Sequence, residues 1–119
     1  MSLQVKYLHE PVVETDGKRI LVDREWPADI TPQEAEMHSW YKDVGPSNDL
    51  LDWYGDDPSR FSEYKEKYVS ELDGNPLVQA EITQIRELSK SDKVTLLHAA
   101  KDPVMNNAAI LKEYLEAKM

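Results

Sequence analysis

The chain has 119 residues, of which 14 are basic and 23 acidic, and its formal net charge at pH 7 is −9. A chain of this length buries roughly two thirds of its unfolded surface, so we expect residues 1–119 to form a single α/β domain. The absence of cysteine excludes disulfides, thiolate metal ligands and cysteine nucleophiles. The acidic balance repels phosphate backbones and disfavours nucleic acid as a partner.

Two further features concern the location of the protein. No apolar run approaches the roughly 18–20 residues that cross a bilayer, and the N-terminus lacks the basic flank and apolar stretch of a secretion signal. We therefore expect a cytoplasmic protein with no membrane partner. The sequence leaves open whether the chain binds a protein partner or forms a homo-oligomer.

The first predicted elements are two strands, Val5–Leu8 and Arg19–Asp23, separated by a turn at Asp16-Gly17. The second strand is an unbroken apolar run, which is typical of a strand covered on both faces. Thr31-Pro32 then pairs an N-cap with proline at the first helical position, and Glu34 completes a capping box. This pattern predicts a helix that begins at Pro32.

The middle of the chain predicts a third strand, Trp40–Val44, and two helices. Ser47 follows a turn and is expected to cap a short helix through Trp53. Asp57-Pro58 repeats the cap and proline pair and predicts a helix over about Pro58–Leu72. Its aromatic side chains recur at helical spacing, which indicates a buried face and not a stacking platform: Phe61, Tyr64 and Tyr68.

The last third of the chain predicts a helix, a strand and a helix. Asn75-Pro76 begins a helix over about Pro76–Leu88, and Val94–His98 is a second unbroken apolar strand. The final helix runs from Pro103 or Asn106 to about Ala117. Amphipathic helices joined to strands buried on both faces favour an α/β fold, a three-layer helix-sheet-helix sandwich with a small, mostly parallel sheet.

A ligand site is predicted at the carboxyl ends of the strands, because such sheets bind ligands in the crevice at that edge. The polar groups expected there suit a small anionic metabolite or nucleotide-like ligand. The predicted ligand-binding residues are Arg19, Asp23, Arg24, Trp26, His98, Lys101, Asp102, Asn106 and Asn107.

Each of these residues also has a structural interpretation. Asp23 and Arg24 suit an ion pair as well as a ligand, and a helix N-cap accounts for Asp102 better than a ligand does. His98 is either a general acid or base or a hydrogen-bonded core histidine, and Lys101 is either an anion ligand or a surface lysine. Of the adjacent asparagines, the first is favoured for structure and the second for the pocket: Asn106 and Asn107.

Blocks of residues along almost the whole chain resemble the YeaO-like branch of the domain-of-unknown-function 488 family. The resemblance implies a small cytoplasmic α/β domain and carries no established activity. The blocks are Arg19-Ile20-Leu21-Val22-Asp23-Arg24, Trp26-Pro27, Trp40-Tyr41-Lys42-Asp43, Pro46-Ser47, Trp53-Tyr54, Leu96-Leu97-His98-Ala99-Ala100-Lys101-Asp102 and Asn106-Asn107-Ala108.

The chain departs from the pattern of that branch at polar positions. Ala28-Asp29 stands where the branch has Arg-Gly, and histidines of the branch are missing near Asp56 and at Met105. Lys67 replaces a common arginine, and the wider family often has cysteine near the position of His98. If relatives carry a catalytic centre, the resemblance implies that this chain has an altered or weakened one.

The sequence does not decide whether the protein is an enzyme. Phosphate-binding, dinucleotide-binding and serine-hydrolase motifs are all absent, and no histidine spacing or other motif predicts a metal or cofactor. Two hypotheses remain, namely a pocket that binds a small anionic ligand and a noncatalytic protein-interaction or regulatory module in which the polar cluster serves structure. The second predicts an exposed apolar surface and tolerance of substitutions in the pocket.

Overall fold

A computed structural model of the chain describes residues 2–117 and confirms the α/β fold class. Its sheet contains four strands in the order β1-β4-β2-β3, and every neighbouring pair is parallel. The strands are β1 (Ser2–Tyr7), β2 (Lys18–Leu21), β3 (Ser39–Trp40) and β4 (Lys93–His98). The two unbroken apolar runs of the sequence are therefore the central strands, β4 and β2.

Five α-helices accompany the sheet within the described residues: α1 (Pro32–Ala35), α2 (Asn48–Tyr54), α3 (Phe61–Gly74), α4 (Pro76–Ser91) and α5 (Asn107–Ala117). Three predicted caps are confirmed, because the side chains of Thr31, Ser47 and Asn75 each accept a backbone N–H of the following helix. None of the helices of residues 2–117 has the length and apolar character needed to span a membrane.

The apolar side chains of the central strands divide between the two faces of the sheet, as the alternation of a strand requires. Ile20 and Leu96 belong to a large cluster packed with helices α2 to α5. Leu21 and Leu97 belong to a smaller cluster on the other face, packed with Ala35 of α1. The sheet is thus covered on both sides, by a thick helical layer and by a thin layer of α1 and loops.

The predicted strands differ from the observed ones at their ends. The first begins at Ser2, three residues before the predicted Val5, because its whole length pairs with β4. The third strand was predicted over Trp40–Val44, which is wrong after Trp40. Tyr41 makes the last backbone bond to β2, and Lys42–Val44 then forms a 3-10 turn closed by Gly45.

The predicted helix starts at Pro58 and Pro103 also need correction. Pro58–Arg60 is a 3-10 turn, and the α-helix begins at Phe61. Asp102 does not cap the last helix, because its carboxylate accepts the N–H groups of Val104 and Met105 and forms a local turn. The last helix begins at Asn107.

Candidate functional site

Asp23 joins three elements at the carboxyl edge of the sheet. Its Oδ2 accepts the backbone N–H of Ala99, just after β4, at 2.9 Å, and its Oδ1 accepts Nδ2–H of Asn107, in the first turn of α5, at 3.0 Å. The same amide nitrogen donates to the carbonyl oxygen of Val22 at 3.2 Å. The ends of β2 and β4 and the start of α5 are therefore held together by one carboxylate and one amide.

The surroundings of Asp23 shift its ionisation. Burial raises the pKa of the Asp23 carboxyl above its usual value, although the hydrogen bonds from Ala99 and Asn107 and the nearby His98 act in the opposite direction. Desolvation of the charge therefore outweighs the two hydrogen bonds that stabilise the carboxylate.

A cavity of about 500 Å³ lies beside this joint. It is within the size range of small-molecule sites, and its walls are mostly apolar with a few polar groups. The lining residues come from the segment after β2, from α2 and the loops on either side of it, from α3, and from the segment after β4 up to the first residue of α5: Asp23, Arg24, Glu25, Trp26, Pro27, Ala28, Pro46, Leu51, Tyr54, Asp56, Tyr64, Ala99, Ala100, Met105 and Asn107.

Arg24 fixes one wall of the cavity. Its Nε donates to the carbonyl oxygen of Pro46 and its Nη2 to that of Gly45, both at 2.9 Å. The two segments approach so closely that a Cβ on Gly45 would lie 2.5 Å from the backbone nitrogen of Arg24. Trp26 forms the adjoining wall, with Nε1 donating to the carbonyl oxygen of Ile30 at 2.6 Å.

Two tyrosines of the lining were not predicted as site residues. The rings of Tyr54 and Tyr64 stack with their centroids 4.2 Å apart, and burial raises the pKa of both hydroxyls. Tyr64 is only 2% exposed, and neither hydroxyl makes a hydrogen bond to another of residues 2–117. The helical spacing of Tyr64 with Phe61 and Tyr68 predicted a core face, which is confirmed, but spacing alone gives no sign that this face ends at a cavity.

Arg19 lies outside the cavity, in a buried network beneath the sheet. Its Nη1 is 2.6 Å from Oδ2 of Asp16, and its Nε donates to the carbonyl oxygen of Ala35. Asp16 also accepts hydrogen bonds from Lys6 and from the backbone of Val13. Burial acts to raise the pKa of Asp16, but these hydrogen bonds together hold it below the usual value.

His98 and Lys101 lie on the other side of β4, where they line a smaller cavity of about 220 Å³ with Lys6 and Tyr7 of β1. His98 is 1% exposed, and its Nδ1 has no hydrogen-bond partner among the described residues. Burial lowers the pKa of the imidazole, against the opposing effect of Asp23. Neither residue reaches the 500 Å³ cavity.

Asp102 and Asn106 organise the chain between β4 and α5. Hydrogen bonds from the backbone N–H groups of Met105 and Val104 lower the pKa of Asp102. The amide of Asn106 donates to the carbonyl oxygen of Asp102 and accepts the N–H of Ala109, which caps α5. Of the predicted ligand-binding residues, the cavity therefore brings together Asp23, Arg24, Trp26 and Asn107.

The resemblance implies five departures from the pattern of the YeaO-like branch, and three of these positions line the same cavity: Ala28, Asp56 and Met105. The other two, Asp29 and Lys67, are not among its lining residues. Oδ2 of Asp29 lies 3.2 Å from Nε2 of His9. Within residues 2–117, no three histidine, aspartate or glutamate side chains are grouped as metal ligands.

Comparison with known proteins gives a family and no activity. A family described as the inactive DUF488-N3 subclade matches residues 2–119. The uncharacterized protein Rv3073c of Mycobacterium tuberculosis is 33% identical over 116 residues, which cover 98% of this chain and 95% of that protein. The uncharacterized protein YeaO of Escherichia coli is 30% identical over 117 residues, with 98% and 99% coverage. No solved structure matches the chain significantly.

Proposed function

Because the chain belongs to the DUF488 family, in the branch described as the inactive DUF488-N3 subclade, we propose that it binds a small molecule in the 500 Å³ cavity without converting it. The cavity lies where strand ends and a helix start converge, which is the usual ligand position in α/β folds. The word "inactive" in the description of the family argues against catalysis.

One observation carries this proposal. Ala28, Asp56 and Met105, three positions at which the chain lacks polar residues typical of the resembling branch, all line the cavity. Replacements scattered over the surface would be unrelated to a site. The convergence of these three positions supports a cavity whose chemistry differs from that of the resembling branch.

The remaining lining groups support the same conclusion. The lining includes no histidine, lysine, serine, threonine or cysteine among the described residues, so carboxylates and tyrosines are the groups left for acid–base or nucleophilic chemistry. Within residues 2–117, Asp23 is the one carboxylate of the lining that accepts hydrogen bonds, and both of its oxygens do so. The raised pKa values of Tyr54 and Tyr64 keep their hydroxyls protonated.

The proposal does not depend on an anionic ligand. That expectation rested on cations of the sequence, but Arg19 lies in the network with Asp16 and Lys101 lies at the smaller cavity. Arg24 remains at the 500 Å³ cavity, where two of its guanidinium nitrogens are engaged by backbone carbonyls. The proposal therefore rests on the position and the lining of the cavity and not on the charge of the ligand.

A thermal-shift screen of small metabolites tests this function. A ligand of the cavity is expected to raise the unfolding temperature progressively with its concentration. The shift should be lost in Ala28→Trp, which fills the cavity, and kept in Ala80→Trp, which adds the same side chain to an exposed position of α4.

Turnover is measured by mass spectrometry after incubating the stabilising molecule with an equal amount of protein, and the molecule is expected to be recovered unchanged. Chemical conversion would contradict the noncatalytic role. Failure of the whole library to stabilise the protein would favour the protein-interaction module instead, in which substitutions such as Ala28→Trp are tolerated.

A further inference from the structure

The charges around the 500 Å³ cavity are unequal. Its lining carries three carboxylates, Asp23, Glu25 and Asp56, and Arg24 is the one cationic side chain that lines it among the described residues. Arg24 directs Nε and Nη2 to the carbonyl oxygens of Pro46 and Gly45. A bound anion would meet the excess of carboxylates, whereas a bound cation would be stabilised by them.

The hydrogen-bonding groups of the lining show the same bias. Two donors of the lining are engaged, because the backbone N–H of Ala99 donates to Asp23 and Nδ2 of Asn107 donates to Val22 and Asp23. The hydroxyls of Tyr54 and Tyr64 make no hydrogen bond to the described residues, and each can accept one and donate one. The carboxylate oxygens of Glu25 and Asp56 can only accept, so the side chains of the lining offer more acceptors than donors.

Tyr64 is the most informative of these groups. Its side chain is almost completely buried at 2% exposure, yet its hydroxyl has no partner within residues 2–117 and it lines the cavity. Because the ring is held in the core and the hydroxyl is not engaged by the protein, this group is available to bind a ligand in the cavity. The apolar walls beside it are formed by Trp26, Leu51 and Met105.

We propose that the ligand of the cavity is an organic amine, in which a protonated nitrogen faces the carboxylates and the tyrosine hydroxyls while an apolar or aromatic body packs against Trp26, Leu51 and Met105. This inference rests on the proposed function, since it assigns a chemical class to the same cavity. An ammonium group supplies three donors and a positive charge, which complements both features of the lining.

Three probes of nearly equal size separate charge from shape: tyramine, neutral 4-ethylphenol and anionic 3-(4-hydroxyphenyl)propionate. Isothermal titration calorimetry at low salt is expected to give tyramine an affinity at least about tenfold above that of the propionate, which corresponds to about 1.4 kcal/mol. The neutral phenol should lie between them. Ala100→Trp should abolish the binding of tyramine, because Ala100 lines the cavity.

Matched variants distinguish the cavity from the general acidity of the protein. Glu25→Gln combined with Asp56→Asn removes two exposed carboxylates of the lining and should reduce the preference for tyramine several-fold. Glu66→Gln combined with Glu87→Gln removes two exposed charges from α3 and α4 and should leave that preference unchanged.

Two results would overturn the amine assignment and leave the proposed function standing. One is binding of the propionate as tightly as tyramine. The other is absence of tyramine binding when a library molecule that carries no amine binds in the cavity. If neither the probes nor any library molecule binds, the amine assignment and the proposed function both fail.

Discussion

Asp16 and Asp23 are two carboxylates whose surroundings shift their pKa values in opposite directions. Asp16 is 1% exposed and accepts hydrogen bonds from Lys6, Val13 and Arg19, which together lower its pKa. Asp23 receives only uncharged donors, so desolvation prevails and its pKa is raised. Asp16 is therefore the charged centre of a structural network, whereas Asp23 links the strand ends beside the cavity through donors that carry no charge.

Replacement of Asp23 should destabilise the fold. Asp23→Ala leaves the N–H of Ala99 and the amide of Asn107 without their acceptor, so we expect a loss of about 1–3 kcal/mol in the free energy of unfolding. Urea denaturation at neutral pH measures this loss. Glu25→Ala removes an exposed carboxylate from the same lining and should change the free energy by less than about 0.5 kcal/mol. Equal effects of the two substitutions would show that Asp23 does not join the strand ends.

The lowered pKa of Asp16 predicts that the free energy of unfolding depends on pH under acidic conditions. Because its pKa in the folded protein lies below the usual 3.8, its carboxylate stabilises the fold above that pH, and this stabilisation is lost as the pH falls through the lowered pKa. Asp16→Asn should therefore be less stable at neutral pH and lose less stability on acidification. Urea denaturation across this range compares the two proteins, and parallel losses would contradict the assignment.

At the scale of elements, the site depends on how closely two loops approach. Gly45 packs against Arg24 without room for a Cβ, whereas a Cβ on Gly74 at the end of α3 would meet nothing within 4 Å. Gly45→Ala should therefore cost about 1–3 kcal/mol through overpacking. Gly74→Ala should be neutral or stabilise by up to about 1 kcal/mol, because alanine favours the helix. Thermal and urea unfolding measure both, and a neutral Gly45→Ala would contradict the close approach.

The elements also show what the sequence can predict. The caps at Thr31, Ser47 and Asn75 act on backbone groups within three residues, so local sequence is enough to place those helix starts. Trp40–Val44 resembled a strand, but pairing with β2 ends after Trp40, and that limit depends on tertiary structure. Local capping signals therefore predicted these three helix starts, whereas the apolar pattern did not predict where the third strand ends.

The order of the strands explains why the predicted site residues lie at two separate cavities. Because β4 lies between β1 and β2, the segment after β4 has a neighbour on each side. Ala99 and Asn107 meet Asp23 on the β2 side, whereas His98 and Lys101 share a cavity with β1. The sequence predicts which residues follow β4, but it does not give the order of strands, so it could not separate the two cavities.

At the scale of the whole molecule, we propose that residues 1–119 behave as one folding unit. The large apolar cluster joins β2 and β4 with helices α2 to α5, so loss of any part exposes the rest. Urea denaturation followed by tryptophan fluorescence and by far-ultraviolet circular dichroism should give coincident single transitions. Separate transitions would show that parts of the chain unfold independently.

The most direct test of the cavity is an NMR titration of backbone amides with the molecule that most strongly stabilises the protein. We expect amides of 23–28 and of 99–107 to shift together and to give the same dissociation constant, while amides on the exposed face of α4 stay unchanged. Shifts confined to one of these two segments, or centred elsewhere, would contradict a ligand cavity shared by the ends of β2 and β4.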